Sequence, residues 1–315
     1  MILDERLKQK ETLLLDGAIG SEIARLGGAM DSAAWCALAN KNHPDVVQQV
    51  HEEYIRAGAS VVTANTFATC RHVLAGAGLA DEAPSITARA VELARQAVDA
   101  VAPDRPMIVA GSMSNTRSWI PGTFSPDPEF LPTPEQESAD YREMANALAD
   151  AGADVIILEM MLRVESASRL AEAASATGLP VWAGISCSLL PDGSVAAWDM
   201  HLEERPDKIS STHTQRETQP IELIIDAMKS FNPQVMGIMH SDVNSTGPGL
   251  AALAQKWSGP TMAYPESTHI HAVEPAKFAE HCLDWVDNGV QIIGGCCGTT
   301  IEHIRALAEA LEMNR

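Results

Sequence analysis

The feature that most constrains the fold of this chain is a repeated alternation of short apolar runs with longer helical segments. Eight runs rich in Val and Ile are each followed by a polar or glycine-containing turn and then by a stretch of helical periodicity. Because the runs are continuously apolar, they are typical of strands covered on both faces, as in a parallel sheet beneath helices. The runs cover residues 13–18, 60–67, 107–113, 153–160, 181–187, 235–241, 260–265 and 290–297.

Eight strand–helix units in succession predict an α/β protein with a (β/α)8 (TIM) barrel, formed as a single domain by residues 1–315. The alternative, an open doubly wound sheet, usually carries a G-x-G-x-x-G fingerprint after an early strand. Residues 16–20 read DGAIG and do not match it, so we expect the closed barrel. The helices are predicted over residues 44–57, 85–101, 133–151, 163–177, 220–231, 250–257, 275–288 and 300–313.

Composition narrows the range of partners. The formal net charge is −20, which opposes binding to nucleic acid or to an anionic membrane surface. Residues 1–10 are charged, and no segment approaches about 18 consecutive apolar residues. We therefore expect a cytoplasmic protein that does not enter a membrane.

Six cysteines are too few for a disulfide scaffold, so reduced thiols are expected. The sequence leaves open whether the chain forms a homo-oligomer.

Two stretches interrupt the strand–helix rhythm and are predicted to be long loops. Residues 114–132 include Trp119 and several Pro and Gly residues, and residues 189–219 are polar and charged. Barrel enzymes place their chemistry at the carboxyl ends of the strands, where long insertions tend to cover the site. Both loops are therefore candidate lids. The alternative is that they are solvated excursions.

Polar residues at the predicted strand ends should meet at one rim of the barrel. They include acidic side chains, an imidazole and two adjacent thiols, a combination that indicates a metal site beside a site for an ammonium group. These residues are Asp16, Gly17, Asn65, Thr66, Ser112, Asn115, Glu159, Cys187, His240, Tyr264, Glu266, Cys296 and Cys297.

The adjacent pair Cys296 and Cys297 is the strongest candidate for metal binding. Successive side chains of a regular strand point to opposite faces, so neighbouring cysteines rarely bind one metal. Here Gly294 and Gly295 precede the pair and Gly298 follows it. Glycine adopts backbone angles that are strained for other residues, so we expect the chain to turn both sulfurs inward.

Two thiolates leave a catalytic zinc site one protein ligand short, since such sites normally supply three and keep the fourth position for substrate. His240 is the best-placed third ligand, and Cys187, His269 and His271 are alternatives. The structural alternative is that the cysteines are two buried thiols and that His240 is a core or rim histidine without metal.

Four motifs, in order along almost the whole chain, resemble the homocysteine S-methyltransferase family. They are DGAIGSE at 16–22, AGA at 57–59 with TANTF at 63–67, LE at 158–159 and GGCCGTT at 294–300. The last motif is highly specific. The resemblance implies a (β/α)8 barrel with zinc held by three thiolates, two of which match Cys296 and Cys297.

The third thiolate of the family comes from a Gly-x-Asn-Cys segment after the sixth strand. Here residues 237–240 read GIMH, so His240 replaces the usual Cys and Met239 the usual Asn. Imidazole is a sound zinc ligand, and the mixed site is one unit less anionic than a site of three thiolates. A second departure lies after the seventh strand, where Glu266 replaces the Asn of a Tyr-Pro-Asn segment. Catalysis of the family type requires that His240 binds the metal, and the second departure concerns the methyl-donor side of the site.

The resemblance also implies the substrate contacts. Asp16 and Glu159 would hold the amino group of homocysteine, and backbone amides near Gly17 and the Asn65–Thr66 segment would take its carboxylate. An ammonium group in a barrel mouth without water needs the negative charge of a carboxylate, which both acids could supply. The structural alternative treats Asp16 as a turn residue and Glu159 as an ion-pair partner.

The predicted function is zinc-dependent transfer of a methyl group from a small onium donor to the thiolate of homocysteine, which forms methionine. His240, Cys296 and Cys297 are the expected catalytic and Zn²⁺-binding residues. S-methylmethionine, S-adenosylmethionine and a betaine remain open as donors, and Trp35, Trp119 and Tyr264 could form an aromatic cage for such a cation. The alternatives are the same chemistry on another small thiol or selenol, and a metal-free ligand-binding barrel.

Overall fold

Eight parallel strands form the barrel that the apolar runs predict. The computed structural model describes residues 2–28, 30–31, 33–123, 125–197, 219–268 and 272–314. We label the barrel strands β1 (Leu13–Leu14), β2 (Val61–Ala64), β3 (Ile108–Ser114), β4 (Val155–Met161), β5 (Val181–Ile185), β6 (Val235–Met239), β7 (Thr261–Tyr264) and β8 (Ile292–Ile293).

Each barrel strand pairs in parallel with its neighbours in chain order, and β8 pairs with β1 through Leu14 and Ile293. The ring closes between β1 and β2, where Leu15 and Val61 form a parallel bridge. Two backbone hydrogen bonds support this bridge, from Ser60 N–H to Leu14 O at 2.8 Å and from Asp16 N–H to Val61 O at 3.1 Å. The expectation of a closed barrel is therefore confirmed.

Helices surround the barrel and cover the apolar strands. Their ranges, as α1 to α12 in chain order, are Ile2–Lys8, Ile19–Arg25, Ala39–Asn42, Pro44–Arg56, Arg71–Leu74, Ala83–Val101, Pro134–Asp150, Val164–Ser175, Ile221–Lys229, Val243–Ala254, Pro275–Asp287 and Ile301–Met313. Among the described residues, none of these helices has both the length and the apolar character needed to cross a bilayer.

Helix α10 differs from the sequence prediction, which began it at residue 250. The helix begins at Val243 because the carboxylate of Asp242 accepts hydrogen bonds from the N–H groups of Asn244 (2.8 Å) and Ser245 (3.2 Å) and so caps it. Residues 247–249, Gly-Pro-Gly, lie inside the helix, although both residue types disfavour helix interiors. The cap and the tertiary contacts override that local preference.

The amino end of the barrel is closed by α1. Leu3 and Leu7 of this helix pack on the side chains that fill the barrel interior, including the fully buried Trp182. The helix is fixed by hydrogen bonds to segments that precede the strands, such as the 2.9 Å bond from Gln291 Nε2 to Leu7 O. The open end of the barrel is therefore the carboxyl end.

The two predicted loops differ in what the structure describes. Residues of the 114–132 segment lie over the carboxyl end of the barrel and include a 3-10 turn at Pro128–Phe130. The 189–219 segment begins and ends in a small antiparallel sheet of Ser188–Leu189, Val195–Ala197 and Gln219–Pro220. Most of this second loop lies outside the described residues, so its role as a lid stays a prediction.

One buried histidine makes the fold sensitive to acid. His51 in α4 is fully buried, and neither ring nitrogen has a hydrogen-bond partner among the described residues. Burial lowers the pKa of His51 from 6.5 to about 4, because a charged imidazole would lose its hydration there. The native state therefore resists protonation at a pH where the unfolded chain accepts the proton.

We predict that His51→Leu reduces the acid sensitivity of the fold. Below pH 6.5 the unfolded wild type binds a proton that the native state does not, so stability falls as the pH drops toward about 4. Between pH 7.5 and 4.5 the wild type should lose roughly 2–3 kcal/mol more unfolding free energy than the variant. Urea denaturation at both pH values measures this, and the comparison at pH 7.5 isolates the packing change. Equal losses in the two proteins would contradict the assignment.

Candidate active site and metal centre

The strand ends enclose a cavity of about 460 Å³ at the carboxyl end of the barrel. This volume lies in the range of about 300–1,000 Å³ that is usual for small-molecule sites. The 114–132 segment contributes Arg117 and Trp119 to one wall. The predicted site residues that line the cavity are Asp16, Gly17, Asn65, Ser112, Asn115, Glu159, His240, Tyr264, Cys296 and Cys297.

The two thiols and the imidazole converge as the sequence predicts. The Sγ atoms of Cys296 and Cys297 are 3.9 Å apart, and Cys296 Sγ lies 3.6 Å from His240 Nδ1. One donor atom from each of the three residues lies within 4.8 Å of the other two. For zinc–sulfur and zinc–nitrogen bonds of about 2.3 and 2.0–2.1 Å, tetrahedral angles give edges of about 3.8 Å between two sulfurs and about 3.6 Å between sulfur and nitrogen. The donor spacing therefore fits a tetrahedral Zn²⁺ ion.

Backbone hydrogen bonds hold the cysteine segment in place. Cys296 N–H donates to Pro265 O at 2.8 Å, and the carbonyl of Cys297 accepts from Ser267 N–H at 2.8 Å. The hydroxyl of Thr299 donates to Cys296 O at 2.7 Å, which closes the turn after the pair. The segment after β7 therefore positions both cysteines.

Glycine contributes to this segment in two different ways. Gly298 has a φ of +75°, the left-handed region that the sequence analysis expected glycine to adopt. At Gly294 the requirement is space, because an added Cβ would lie 2.6 Å from Leu15 Cβ and 2.8 Å from Asp16 O. The expectation of unusual backbone angles therefore holds after the cysteine pair, while Gly294 before it lets β8 approach β1 closely.

His240 follows β6 directly and has a φ of +44°, an uncommon value for a residue with a side chain. Its N–H donates to Tyr264 O at 3.3 Å, so the turn remains attached to β7. This local turn ends the strand and brings the imidazole to the cysteine pair. Such backbone strain is often found at functional sites.

A hydrogen bond between the two cysteines favours a thiol at Cys296 and a thiolate at Cys297. The Cys296 thiol donates to Cys297 Sγ, which lowers the pKa of Cys297 well below its usual value and raises that of Cys296. The nearby His240 also lowers the pKa of Cys297. A thiolate is the form of cysteine that binds a metal, so this environment favours the metal-binding form of Cys297.

Two buried acids lie beside the thiols. Burial raises the pKa of Asp16 to about 8, although Thr63 opposes the shift with bonds from its N–H (2.6 Å) and its hydroxyl (3.0 Å). Burial likewise raises the pKa of Glu159 to about 7, although the hydroxyl of Ser112 donates to this carboxylate. Each negative charge disfavours the other, so a cation that reaches both would relieve their repulsion.

A β-bulge presents Glu159 to the cavity. Leu158 pairs with Ala183 and Met161 with Ile185, so β4 contains one more residue than β5 across this interval. Met160 takes up the difference with a φ of +57°. The bulge re-aims the side chains around it, as bulges beside functional sites commonly do.

Asn65 and Thr66 have different environments. Asn65 lines the cavity, but its side-chain N–H groups donate to Cys36 O and Asn40 Oδ1, both at 2.9 Å. Thr66 is fully buried and is not among the residues that line the cavity. Its hydroxyl donates to Ser112 O at 2.7 Å and accepts from Ser112 N–H at 2.9 Å, so it positions the partner of Glu159.

The aromatic residues lie on different parts of the cavity. Trp35 and Trp119 pack edge to face, with ring centroids 5.6 Å apart, and both line the wall. Tyr264 is buried near Glu159 and Cys296, and its hydroxyl has no hydrogen-bond partner of good geometry among the described residues. The Tyr264 hydroxyl faces the carboxylate of Glu159 and opposes the rise in the pKa of that carboxyl group.

Of the alternative third ligands, Cys187 does not join the cluster. Cys187 is buried with its sulfur near Ser245 O (3.6 Å) and the Ser241 hydroxyl (3.8 Å), and it does not line the cavity. His269 and His271 lie outside the described residues. The sequence analysis did not identify Thr63, Cys36 and Asn40, whose side chains form hydrogen bonds with Asp16 or Asn65. The alternation of side chains along β2 could have indicated Thr63, which lies two residues from Asn65 and on the same face.

A parallel barrel with thiols, an imidazole and buried acids at its carboxyl end has the arrangement of a (β/α)8-barrel enzyme with a metal–thiol centre. The sequence profile of the homocysteine S-methyltransferase family matches residues 13–311. The chain therefore belongs to the homocysteine S-methyltransferase family.

Individual relatives agree with this assignment. The homocysteine S-methyltransferase of Escherichia coli (strain K12) is 27% identical over 319 residues, which cover 96% of each chain. The crystal structure of the homocysteine methyltransferase MmuM from Escherichia coli in its metallated form has a TM-score of 0.74 and 24% identity, and covers 98% of this chain and 99% of that one. The oxidised form has a TM-score of 0.75 at 24% identity, with 99% of both chains covered. These structures share the fold of the present chain.

We predict that Thr63→Val raises the pKa of Asp16 further. The Thr63 hydroxyl stabilises the charged carboxylate, so its removal favours the protonated form, while the bond from the Thr63 N–H remains. Carboxyl carbon NMR of Asp16 between pH 5 and 10 measures the midpoint. Thr63→Ser keeps the hydroxyl and should titrate like the wild type. The assignment is wrong if Thr63→Val titrates like the wild type, or if both variants shift equally.

Proposed function

We propose that this protein is a zinc-dependent homocysteine S-methyltransferase that uses a small onium compound as methyl donor and forms methionine. The observation that carries the proposal is the tetrahedral spacing of His240, Cys296 and Cys297 beside the acid pair Asp16 and Glu159. A metal centre and an ammonium site then share one cavity. Homocysteine has the two groups that such a cavity would bind, a thiol and an ammonium.

His240, Cys296 and Cys297 would hold the ion, which leaves the fourth position of a catalytic zinc site for substrate. Zinc bound there lowers the pKa of a coordinated thiol, so that the sulfur is a thiolate at neutral pH. A free thiol with a pKa near 8.5 is only a few per cent thiolate under the same conditions. The protein therefore needs no general base close to the acceptor sulfur.

The acids would orient the acceptor. Hydrogen bonds from Thr63 fix the orientation of the Asp16 carboxylate, and a hydrogen bond from Ser112 fixes that of Glu159. An ammonium group bound between them would leave the thiol at the cysteine pair. Gly17 borders the same space, and Tyr54 and Thr299 leave no room for a side chain there. Its backbone and the Asn65 segment are our candidates for contact with the carboxylate.

The charges that line the cavity favour a cationic methyl donor. Among the described lining residues, the only Lys or Arg is Arg117, and its guanidinium is paired with the carboxylate of Glu137. The carboxylates of Asp16 and Glu159 make the electrostatic potential of the cavity more negative. The indole rings of Trp35 and Trp119 can attract an onium methyl group. A donor panel of S-methylmethionine, S-adenosylmethionine and a betaine distinguishes the remaining choices. For each donor, enzyme catalysis would consist chiefly of positioning the methyl group in line with the acceptor sulfur.

We predict one bound zinc per chain and its loss in His240→Ala. The affinity should fall by more than the roughly 10–100-fold that follows loss of a residue supporting a ligand, because a ligand itself is removed. Methionine formation should disappear in parallel. Cys187→Ala is the matched control, since this buried cysteine lies outside the cluster. Zinc measurement by atomic spectroscopy and an assay with the donor panel test both expectations. A wild type without stoichiometric zinc would refute the proposal.

We predict that homocysteine binds more tightly as the pH rises from 6 to 8. Glu159 and then Asp16 lose their protons as the pH passes about 7 and about 8, and an ammonium group prefers the charged forms. Asp16→Asn should weaken binding by about 10–100-fold at pH 8 and by less at pH 6, because one charge-assisted bond is lost.

Isothermal titration calorimetry with 4-mercaptobutyrate, which is homocysteine without its amino group, provides the control. The affinity of this ligand should depend little on the substitution at Asp16. If Asp16→Asn weakened both ligands equally, the carboxylate would not be the ammonium partner.

A further inference from the structure

The side chain of Met239 connects two strands that are not neighbours in the barrel. Met239 is the last residue of β6, and its thioether sulfur accepts a hydrogen bond from the backbone N–H of Met160 in β4 at 3.2 Å. The hydroxyl of Ser186, which follows β5, donates to the same sulfur at 3.3 Å. Met239 is buried and packs against the cluster of side chains that fills the barrel interior. The sulfur therefore has a fixed position against the backbone of β4.

A glycine in the intervening strand makes this contact possible. Strand β5 lies between β4 and β6, and a Cβ atom added at Gly184 of β5 would lie 2.7 Å from Met239 Cγ. The unbranched side chain of Met239 crosses β5 at this glycine and reaches the β-bulge of β4 beyond it. A thioether is a weak hydrogen-bond acceptor, but methionine is long and flexible enough to span one strand.

The bulge leaves Met160 in need of such an acceptor. Within the described strands, Met160 is the one residue of β4 that pairs with neither β3 nor β5. Its φ of +57° also departs from the strand conformation. A bulge disrupts the ladder at its extra residue, and a shielded N–H without an acceptor destabilises the conformation that contains it. The Met239 sulfur supplies the acceptor that the neighbouring strands do not.

The residue before Met160 is the acid Glu159. On one side β3 holds this acid, because Glu159 pairs with Ser114 and its carboxylate accepts a hydrogen bond from Ser112. On the other side the chain continues directly into Met160, so the conformation of the bulge fixes the backbone from which the carboxylate projects. Loss of the hydrogen bond to Met239 would allow the bulge to relax, and the carboxylate would lose its fixed orientation in the cavity.

We infer that Met239 is a positioning residue for the ammonium site, which acts through the Met160 N–H to hold the bulge and so the Glu159 carboxylate in place. This inference rests on the proposed function, in which Glu159 binds the ammonium group of the acceptor. The sulfur is the group that acts. A side chain of similar size without an acceptor should therefore fail to replace Met239, whereas one with an acceptor should succeed.

Hydrogen exchange of the Met160 amide, followed by NMR, tests the contact itself. Met239→Leu keeps nearly the same volume and removes the sulfur. Exchange should then be about 3–10-fold faster, because one hydrogen bond is lost. Met239→Gln supplies an amide oxygen as acceptor and should restore slow exchange. Met262→Leu is the matched control, since Met262 is a fully buried methionine of the same interior cluster on β7. Thermal unfolding establishes that each variant is folded.

The preference for homocysteine over 4-mercaptobutyrate tests the effect on the site. Calorimetry in the presence of zinc gives both dissociation constants, and their ratio cancels any direct contact of Met239, which also lines the cavity, with the part that the two ligands share. The preference should fall by about 3–10-fold in Met239→Leu and stay at the wild-type level in Met239→Gln and Met262→Leu. A residue with only a structural role would weaken both ligands equally, and an unchanged preference would overturn the inference.

The outcomes also separate this inference from the proposed function. If the wild type binds the two ligands equally, the proposed ammonium site is wrong and the inference falls with it. If the wild type prefers homocysteine but Met239→Leu retains either the wild-type exchange at Met160 or the wild-type preference, the inference alone is refuted. Should Met239→Gln not fold, the comparison of Met239→Leu with Met262→Leu still decides the result.

Discussion

The close approach of β8 to β1 determines the whole site. Gly294 lies against Leu15 and Asp16, where a single added carbon would collide with the backbone of the neighbouring strand. The N–H of Gly295 donates to Asp16 O at 3.0 Å, so the strand that ends in the thiols is bonded directly to the residue that provides the first acid. Because these contacts are made by the backbone, the spacing of the acid and the thiols is a property of the barrel itself. The other strand ends contribute further side chains around the Asp16 carboxylate and the thiols.

Much of the fold follows from the sequence because its signals are local and repeated. Each continuous apolar run is typical of a strand that is buried on both faces, and eight of them favour a closed barrel. Helix α10 was predicted to begin too late, since Pro248 and its two flanking glycines conceal a helix that Asp242 caps. The bulge at Glu159 was also invisible, because it depends on the register of β4 against β5. Register is a property of two strands, and one strand alone does not encode it.

The sequence predicts which residues form the candidate site better than it predicts the contacts between them. The motif around Cys296 and Cys297 identified the thiols, and position after a strand identified His240. The contact between His240 and Glu266 could not be foreseen, because it depends on how the turn after β6 faces the turn after β7. Likewise, the bonds from Thr63 to Asp16 and from Ser112 to Glu159 arise between neighbouring strands. Sequence therefore indicates which chemical groups reach the rim, and strand pairing decides which of them interact.

The plug formed by α1 has a consequence for the electrostatics of the opposite end. Since Leu3 and Leu7 close the amino end and apolar side chains fill the barrel below the site, water approaches the acids and thiols through the carboxyl mouth. A molecule that fills that mouth displaces the water from all of these groups at once. The effective dielectric constant around them then falls, and every charge interaction in the cavity strengthens together. The size of the occupant of the cavity thus sets how strongly the charged groups of the site act on it.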